Sequence, residues 1–291
     1  MSSTVLITTL LKRPYVVLFL LSYIIIATRV VNWRWMLAFL FSGYTLAFIS
    51  EYLSINYGFP YGWYFYKYEN LQGEWLNNGV PVWDSVSYVF MCFAGLYLAH
   101  YALRNQYRSA GVPKSQSSCD VRCETCDKQG LALRQAQGLT TSSPSTTLRV
   151  NDKRLATSDK LKLVLLSAIF VTILDIVIDP ISHMGKRWFL GEIYYYPDPG
   201  FYFDITMANF AGWFLVSALI NAVGVFILKF PQRVTQSKLN NFLSLGLYFG
   251  IFGFGLVITT YLQEWTLLLC DIIWLLLVIY FVFIRLTSRS N

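Results

Sequence analysis

Seven apolar runs, at residues 14–28, 33–55, 80–103, 161–179, 205–229, 242–263 and 265–284, decide what this chain can fold into. A helix needs about 20 residues to cross the hydrocarbon core of a bilayer. Six of the runs meet that length, and the first, at about 15 residues, is short for it. None alternates as a membrane barrel requires. The sequence therefore predicts an all-α, polytopic transmembrane helical bundle of about seven spans, with six as the fallback. Composition agrees: the 291 residues are 55% hydrophobic and 13% charged, where a soluble domain carries roughly 25% charged residues.

The spans fall into two groups. Residues 1–108 hold the first three, with a loop at 56–79, and residues 161–291 hold the last four, with a loop at 180–203. Both loops are dense in Tyr, Trp, Phe, Gly and Pro. Such rings suit an interfacial belt or a lid. The connection at 109–160 is polar, rich in Ser, Thr, Gln and Arg, and reads as disordered, low-complexity sequence. Its Cys119, Cys123 and Cys126 have the spacing of an iron–sulfur ligand set, but nothing around them reads as a scaffold for a cluster. Cys92 and Cys270 sit in apolar runs and read as packing residues. Gly246, Gly250, Gly253 and Gly255 predict close helix packing near span six.

Net charge is +7. With no recognisable nucleic-acid-binding fold around the basic residues, the excess reads as Lys and Arg in cytoplasmic loops. Placing the loops after spans three and five and the C-terminal tail in the cytoplasm is self-consistent, and Lys12 and Arg13 dissent. No small-x-small site follows the first run, so it does not read as a cleaved signal peptide.

The polar residues within or beside the runs carry the functional information. A charged group at membrane depth costs several kcal/mol and is by default a candidate functional site. Glu51 ends span two and Asp84 begins span three. Asp175 and Asp179 end span four, and Asp204 and Asn209 begin span five. Consecutive spans alternate in direction, so these residues share one face of the membrane whichever way the chain inserts. Glu264 and Asp271, around the turn between spans six and seven, join that face. The charge distribution makes it the non-cytoplasmic one.

Asp175 and Asp179 stack on one helix face at a spacing of four, and Pro180 is expected to stop that helix. Burial and like charge both oppose ionisation, so one of the pair reads as a neutral acid and the other as a base or charge stabiliser. Asp84 and Asp204 also suit helix N-caps. His183 titrates near neutrality but, alone in a loop, also suits the interface, and His100 reads as structural. Other chemistries fail on sequence. The last span has no Schiff-base Lys, and H-E-x-x-H, P-loop and G-x-S-x-G strings are absent. A prenyltransferase would need two Asp-rich motifs, and two histidines cannot build a non-haem iron centre. A metal-free, cofactor-free acid/base reaction is the economical reading.

Several strings then become familiar. Glu51, the run Tyr57-Gly58-Phe59-Pro60-Tyr61-Gly62-Trp63-Tyr64-Phe65-Tyr66, Gly79-Val80-Pro81, Asp175-x3-Asp179-Pro180, Trp188, Tyr195-Tyr196 before Pro197 and Pro199, and Asn209-Phe210-Ala211-Gly212-Trp213 follow in order. Together they resemble the carotenoid biosynthesis membrane-protein family, which includes carotenoid 1,2-hydratases of the gamma-carotene and bisanhydrobacterioruberin type. The likeness covers about 45–110 and 160–265. It implies an acyclic or monocyclic carotenoid substrate, the lipid bilayer and other membrane enzymes of the pathway as partners, and addition of water across a terminal C=C. For that reaction Asp175 or Asp179 would donate the proton, Glu51 would orient water and Asn209 would support them. Trp63, Tyr64, Tyr66, Trp188, Tyr195 and Trp213 would bind substrate and face the cation. No metal or cofactor is required. A carotenoid cyclase uses the same protonation, and a non-catalytic carotenoid-binding subunit would keep the rings without the acids. A transporter would instead thread polar residues through the bilayer depth.

Overall fold

Pro14 at the first position of a helix and Gly58 just past the end of the next frame the N-terminal architecture. The computed structural model describes residues 3–110, 156–230 and 237–287. Cys119, Cys123, Cys126 and nearly all of the polar connection lie outside those residues. The described residues up to 103 and from 156 onward belong to one compact unit. The described helices are α1 (Ser3–Lys12), α2 (Pro14–Val30), α3 (Trp33–Tyr57), α4 (Val82–Ala110), α5 (Thr157–His183), α6 (Met207–Ala222), α7 (Lys238–Tyr261) and α8 (Trp265–Thr287). A π-helical turn, Val223–Ile227, extends α6.

Six of these helices are long and apolar enough to cross a membrane, and the chain is a multi-pass membrane protein. The short first run becomes α2, which meets α1 at 91°. Of the spans, α4 is the most enclosed, with 83% of its apolar window buried, against 22% for α8. Helix α5 packs on α6, α7 and α8, while α2 packs on α3 and α7 and α3 packs on α6. This follows from composition: α4 presents Phe90, Phe93, Leu96 and Tyr97 to neighbours on several sides, whereas α8 leaves Leu269, Ile272, Leu276 and Tyr280 for lipid.

Two local expectations change. Pro180 lies inside α5, which continues to His183. A proline this near the end removes one backbone donor, and the last turn still closes through Met184 N–H to the Pro180 carbonyl at 3.0 Å. Of the four glycines in α7, only Gly255 is tightly packed, with a Cβ position 2.5 Å from Val177 of α5; Gly246 and Gly253 meet nothing within 4 Å.

The two aromatic loops meet on one face. Strand β1 (Phe65–Tyr66) pairs antiparallel with β4 (Tyr194–Tyr195), setting Phe65 opposite Tyr195 and Tyr66 opposite Tyr194. Within the first loop, β2 (Leu76–Asn77) pairs with β3 (Val80–Pro81). Lys67 Nζ bonds Glu192 Oε1 at 2.5 Å, and Asn70 Nδ2 donates to the Glu192 carbonyl at 2.8 Å. On the same face Glu264 meets Arg187.

The dissenting basic pair has a structural explanation. Arg13, at the bend between α1 and α2, donates Nε to Glu74 Oε2 at 2.9 Å and Nη2 to Oε1 at 2.8 Å. Its Nη1 bonds the Leu190 carbonyl at 2.7 Å, and the guanidinium lies 4.5 Å from the Trp83 ring centroid. Lys12 Nζ bonds the Gln72 carbonyl at 2.9 Å. Arg13 is satisfied inside the protein, so it says nothing about the side of the membrane on which it lies.

Candidate functional site

Four helices and the paired loops deliver the polar residues to one cavity of about 100 Å³. Helix α3 presents Ser50, Glu51 and Ser54 as buried groups. Glu51 Oε2 accepts from Ser85 Oγ of α4 at 2.5 Å. Ser50 Oγ donates to the Ala47 carbonyl at 2.7 Å, so the Tyr61 hydroxyl 2.8 Å away is the donor to Ser50. The Tyr61 backbone N–H donates to Ser54 Oγ at 2.9 Å. Thus α3 holds both the acid and the loop that covers it.

The expected pair on α5 is present and buried. Asp179 Oδ1 accepts from Tyr194 Oη at 2.5 Å, and its Oδ2 accepts from Tyr196 Oη at 3.0 Å. Asn209 bridges the two acids: Nδ2 donates to Asp175 Oδ2 at 3.1 Å and to Asp179 Oδ2 at 3.0 Å. Asn209 sits in the first turn of α6 because Thr206, not Asp204, caps that helix. Asp204 is exposed, with φ +65°. Asp84 also lines the cavity. It lies in the first turn of α4, and its Oδ2 accepts from Tyr66 Oη at 2.7 Å. Because Tyr66 donates there, the Tyr64 hydroxyl, 3.3 Å away, is the donor to Tyr66.

The phenols of both loops are durable donors. Burial, and then the Asp179 carboxyl, pushes Tyr194 and Tyr196 well above the ordinary tyrosine range. Burial and nearby carboxyls act likewise on Tyr64 and Tyr66. These hydroxyls keep their protons at any working pH.

Ring walls complete the cavity. Trp213 stacks on Tyr88 with centroids 3.8 Å apart and planes 5° from parallel, and Tyr61 lies 6.4 Å from Trp213. Of the six rings expected at the substrate, Tyr64 and Trp213 line the cavity. Tyr66 stands behind Tyr64. Trp63 and Tyr195 point outward, 46% and 42% exposed, on either side of Phe65. Trp188 donates Nε1 to the Ile181 carbonyl at 2.7 Å and packs on Tyr15 and Phe254. Strand periodicity is the physical reason for the first two: side chains alternate across a strand, so Tyr64, Tyr66, Tyr194 and Tyr196 face in while Trp63, Phe65 and Tyr195 face out.

Other residues at the site were not read from sequence as part of it: Tyr15, Tyr61, Trp83, Tyr88, Tyr194 and Tyr196 line the cavity, and Ser85 bonds Glu51. Two signals for them exist in the chain. Tyr88 follows Asp84 by four, one helical turn on, and Tyr194 and Tyr196 share a period of two. Asp271 is separate, bonded to Thr259 Oγ1 at 3.0 Å and not among the lining residues. His183 stands 6.0 Å, ring to ring, from both Tyr194 and Tyr196. His100 packs edge-on to Phe230.

The arrangement offers four carboxyls from three helices, a bridging amide, neutral phenol donors and stacked rings. It can donate a proton, orient a water and face a cation in a space that fits the end of a chain. No curated protein and no solved structure matches the sequence. The model of a family described as carotenoid biosynthesis protein matches residues 12–119 and 139–278, leaving out only a stretch of the polar connection and the two ends. On that match, spanning every helix that contributes to the cavity, the chain belongs to the carotenoid biosynthesis protein family.

Proposed function

We propose that this protein hydrates the terminal isopropylidene double bond of an acyclic carotenoid end. A carboxylic acid of the Asp175/Asp179 pair gives its proton to the less substituted alkene carbon. The π electrons form the new C–H bond and leave a tertiary carbocation on the neighbouring carbon. Water, oriented by Glu51, supplies the C–O bond, its surplus proton passes to the Glu51 carboxylate, and return of a proton from Glu51 to the α5 pair restores both groups. The product is a tertiary alcohol, and the sum is alkene plus water. Tyr88 and Trp213, stacked on each other, line the cavity, and the outer face of that stack would meet the cation. Positioned acids and bases of this kind contribute about 10²–10⁴-fold each.

One observation carries the reading: Glu51, Asp84, Asp175 and Asp179 meet Asn209 at a single ring-lined cavity beneath a lid of paired loops. Such an arrangement is costly in a membrane protein unless it is used. Family membership supports a carotenoid as the substrate.

The test is pigment analysis after expression with lycopene or gamma-carotene. A product heavier by one water supports hydration, and an isomeric product means that a double bond, as in a cyclase, captures the cation. Membranes carrying Asp175→Asn, Asp179→Asn or Glu51→Gln are expected to lose at least about 100-fold in rate. Full activity in all three refutes the acid/base scheme.

A further inference from the structure

We infer that Tyr194 and Tyr196 are positioning residues that hold Asp179 as the anion of the α5 pair and leave the shared proton on Asp175. The inference deepens the hydration reading and rests on it for the identity of the reaction.

The two acids of the pair receive unequal numbers of donors. Asp179 receives three hydrogen bonds, from Tyr194, Tyr196 and Asn209. An ionised carboxylate is acceptor-only and is satisfied by such a set, whereas a protonated one must place a donor of its own. Asp175 receives one bond, from Asn209 to Oδ2. Its Oδ1 takes no donor among the described residues, and the residue lines the cavity. The oxygen free to carry a proton therefore belongs to Asp175, where an alkene could take it. Two like carboxyls this close share one proton readily, and the phenols decide which one keeps it.

The clamp is held from outside the pair. Tyr194 lies opposite Tyr66 in the loop sheet, and Tyr66 is bound to Asp84. Tyr64 packs 6.1 and 6.3 Å from Tyr194 and Tyr196, and His183 packs on their other side at 6.0 Å. The charged or titratable neighbours of Asp179 are then Asp175 and His183 on its own helix, Asp84 from α4, and the phenols of the two loops. Among the described residues no Lys or Arg bonds to either acid of the pair, so donated hydrogen bonds set the preference.

Infrared spectroscopy of the full-length protein in lipid reads this directly, without substrate. At neutral pH the wild-type-minus-Asp175→Asn difference should contain the carbonyl stretch of a protonated carboxyl. The wild-type-minus-Asp179→Asn difference should contain carboxylate stretches instead. Tyr194→Phe and Tyr196→Phe, which lose only a hydroxyl, keep the test open if the Asn variants do not accumulate. In each, protonation of the second acid should begin about one pH unit higher than in the wild type, a shift that a merely structural tyrosine would not cause. A protonated-carboxyl band that persists in Asp175→Asn, or an unchanged titration in the Phe variants, overturns the clamp. The carotenoid assay separates the two ideas: wild-type membranes that form no hydrated product refute the reaction, while the infrared titration still decides the clamp.

Discussion

Replacing Asn209 with leucine should slow the reaction far more than it unsettles the fold. Among the described residues, the side-chain amide is the one group that bonds both acids of α5, at 3.1 Å to Asp175 and 3.0 Å to Asp179. Leucine repeats the branched skeleton of asparagine with bulkier methyl groups, and α6 keeps its cap, since Thr206 bonds the backbone N–H of residue 209. What disappears is the donor. In the proposed reaction, negative charge would develop on the carboxyl that Nδ2 touches as Asp175 gives up its proton, so the bond would strengthen toward the transition state. A hydrogen bond to a charged group contributes about 1.5–3 kcal/mol, and each 1.36 kcal/mol is a factor of ten in rate. The expected loss is thus about 10–100-fold in turnover, with carotenoid binding little changed. Chromatography of carotenoids from membranes, with the tertiary alcohol quantified over time, measures it. Asn209→Leu membranes that hydrate at the wild-type rate would refute the reasoning. A loss appearing only as weaker substrate binding would also count against it, because the amide is assigned to the acids and not to the hydrocarbon.

Two further predictions concern the scaffold. Arg13→Met should lower stability by about 3–5 kcal/mol, because it strands Glu74, whose side chain is fully buried, without its bidentate partner. Arg13→Met combined with Glu74→Met should recover most of that loss, and thermal unfolding in detergent of the single and double variants reads the coupling; an undisturbed single variant contradicts it. Gly212→Ala should cost about 1–3 kcal/mol through overpacking, since a Cβ there would sit 2.4 Å from Tyr61 Cδ1 and 2.9 Å from the Pro60 carbonyl oxygen. The same unfolding measurement checks it, and a wild-type midpoint would show that the loop yields.

Spans and convergence were legible in the chain because both follow from one-dimensional facts. An apolar run of sufficient length has to cross, and alternating direction brings Glu51, Asp84, Asp175, Asp179 and Asn209 to one face without any tertiary knowledge. Which rings face the site was not read, because the loops look irregular and composition alone does not tell inside from outside. The alternation that separates Tyr194 and Tyr196 from Tyr195 extends over three residues and becomes meaningful only once β4 pairs with β1. The Arg13–Glu74 pair joins positions 61 residues apart, and the basic pair Lys12 and Arg13 beside a short apolar run looks like a topological signal until the partner of Arg13 is seen. Pro180 misleads for a different reason: the rule that proline ends a helix counts lost hydrogen bonds, and in a final turn there is little left to lose.

The proposed hydration would account for tyrosine in the lid. An acid able to protonate an alkene has to keep its proton until substrate arrives, so it cannot sit beside a cation that would strip it. Lysine or arginine over the α5 pair would favour two carboxylates and leave no donor. Water in the same place would solvate both acids and capture the carbocation without control. Phenols avoid both outcomes. Burial pushes their own ionisation out of reach, so they donate hydrogen bonds to a chosen carboxyl while adding no charge. Their rings are themselves buried beneath the loops. The cross-strand partners Tyr66 and Tyr194 divide this task, one on Asp84 of α4 and the other on Asp179 of α5. A two-residue strand pair, too small to fold alone, is therefore sufficient here: the helices fix the acids, and the acids in turn fix the strands that cover them.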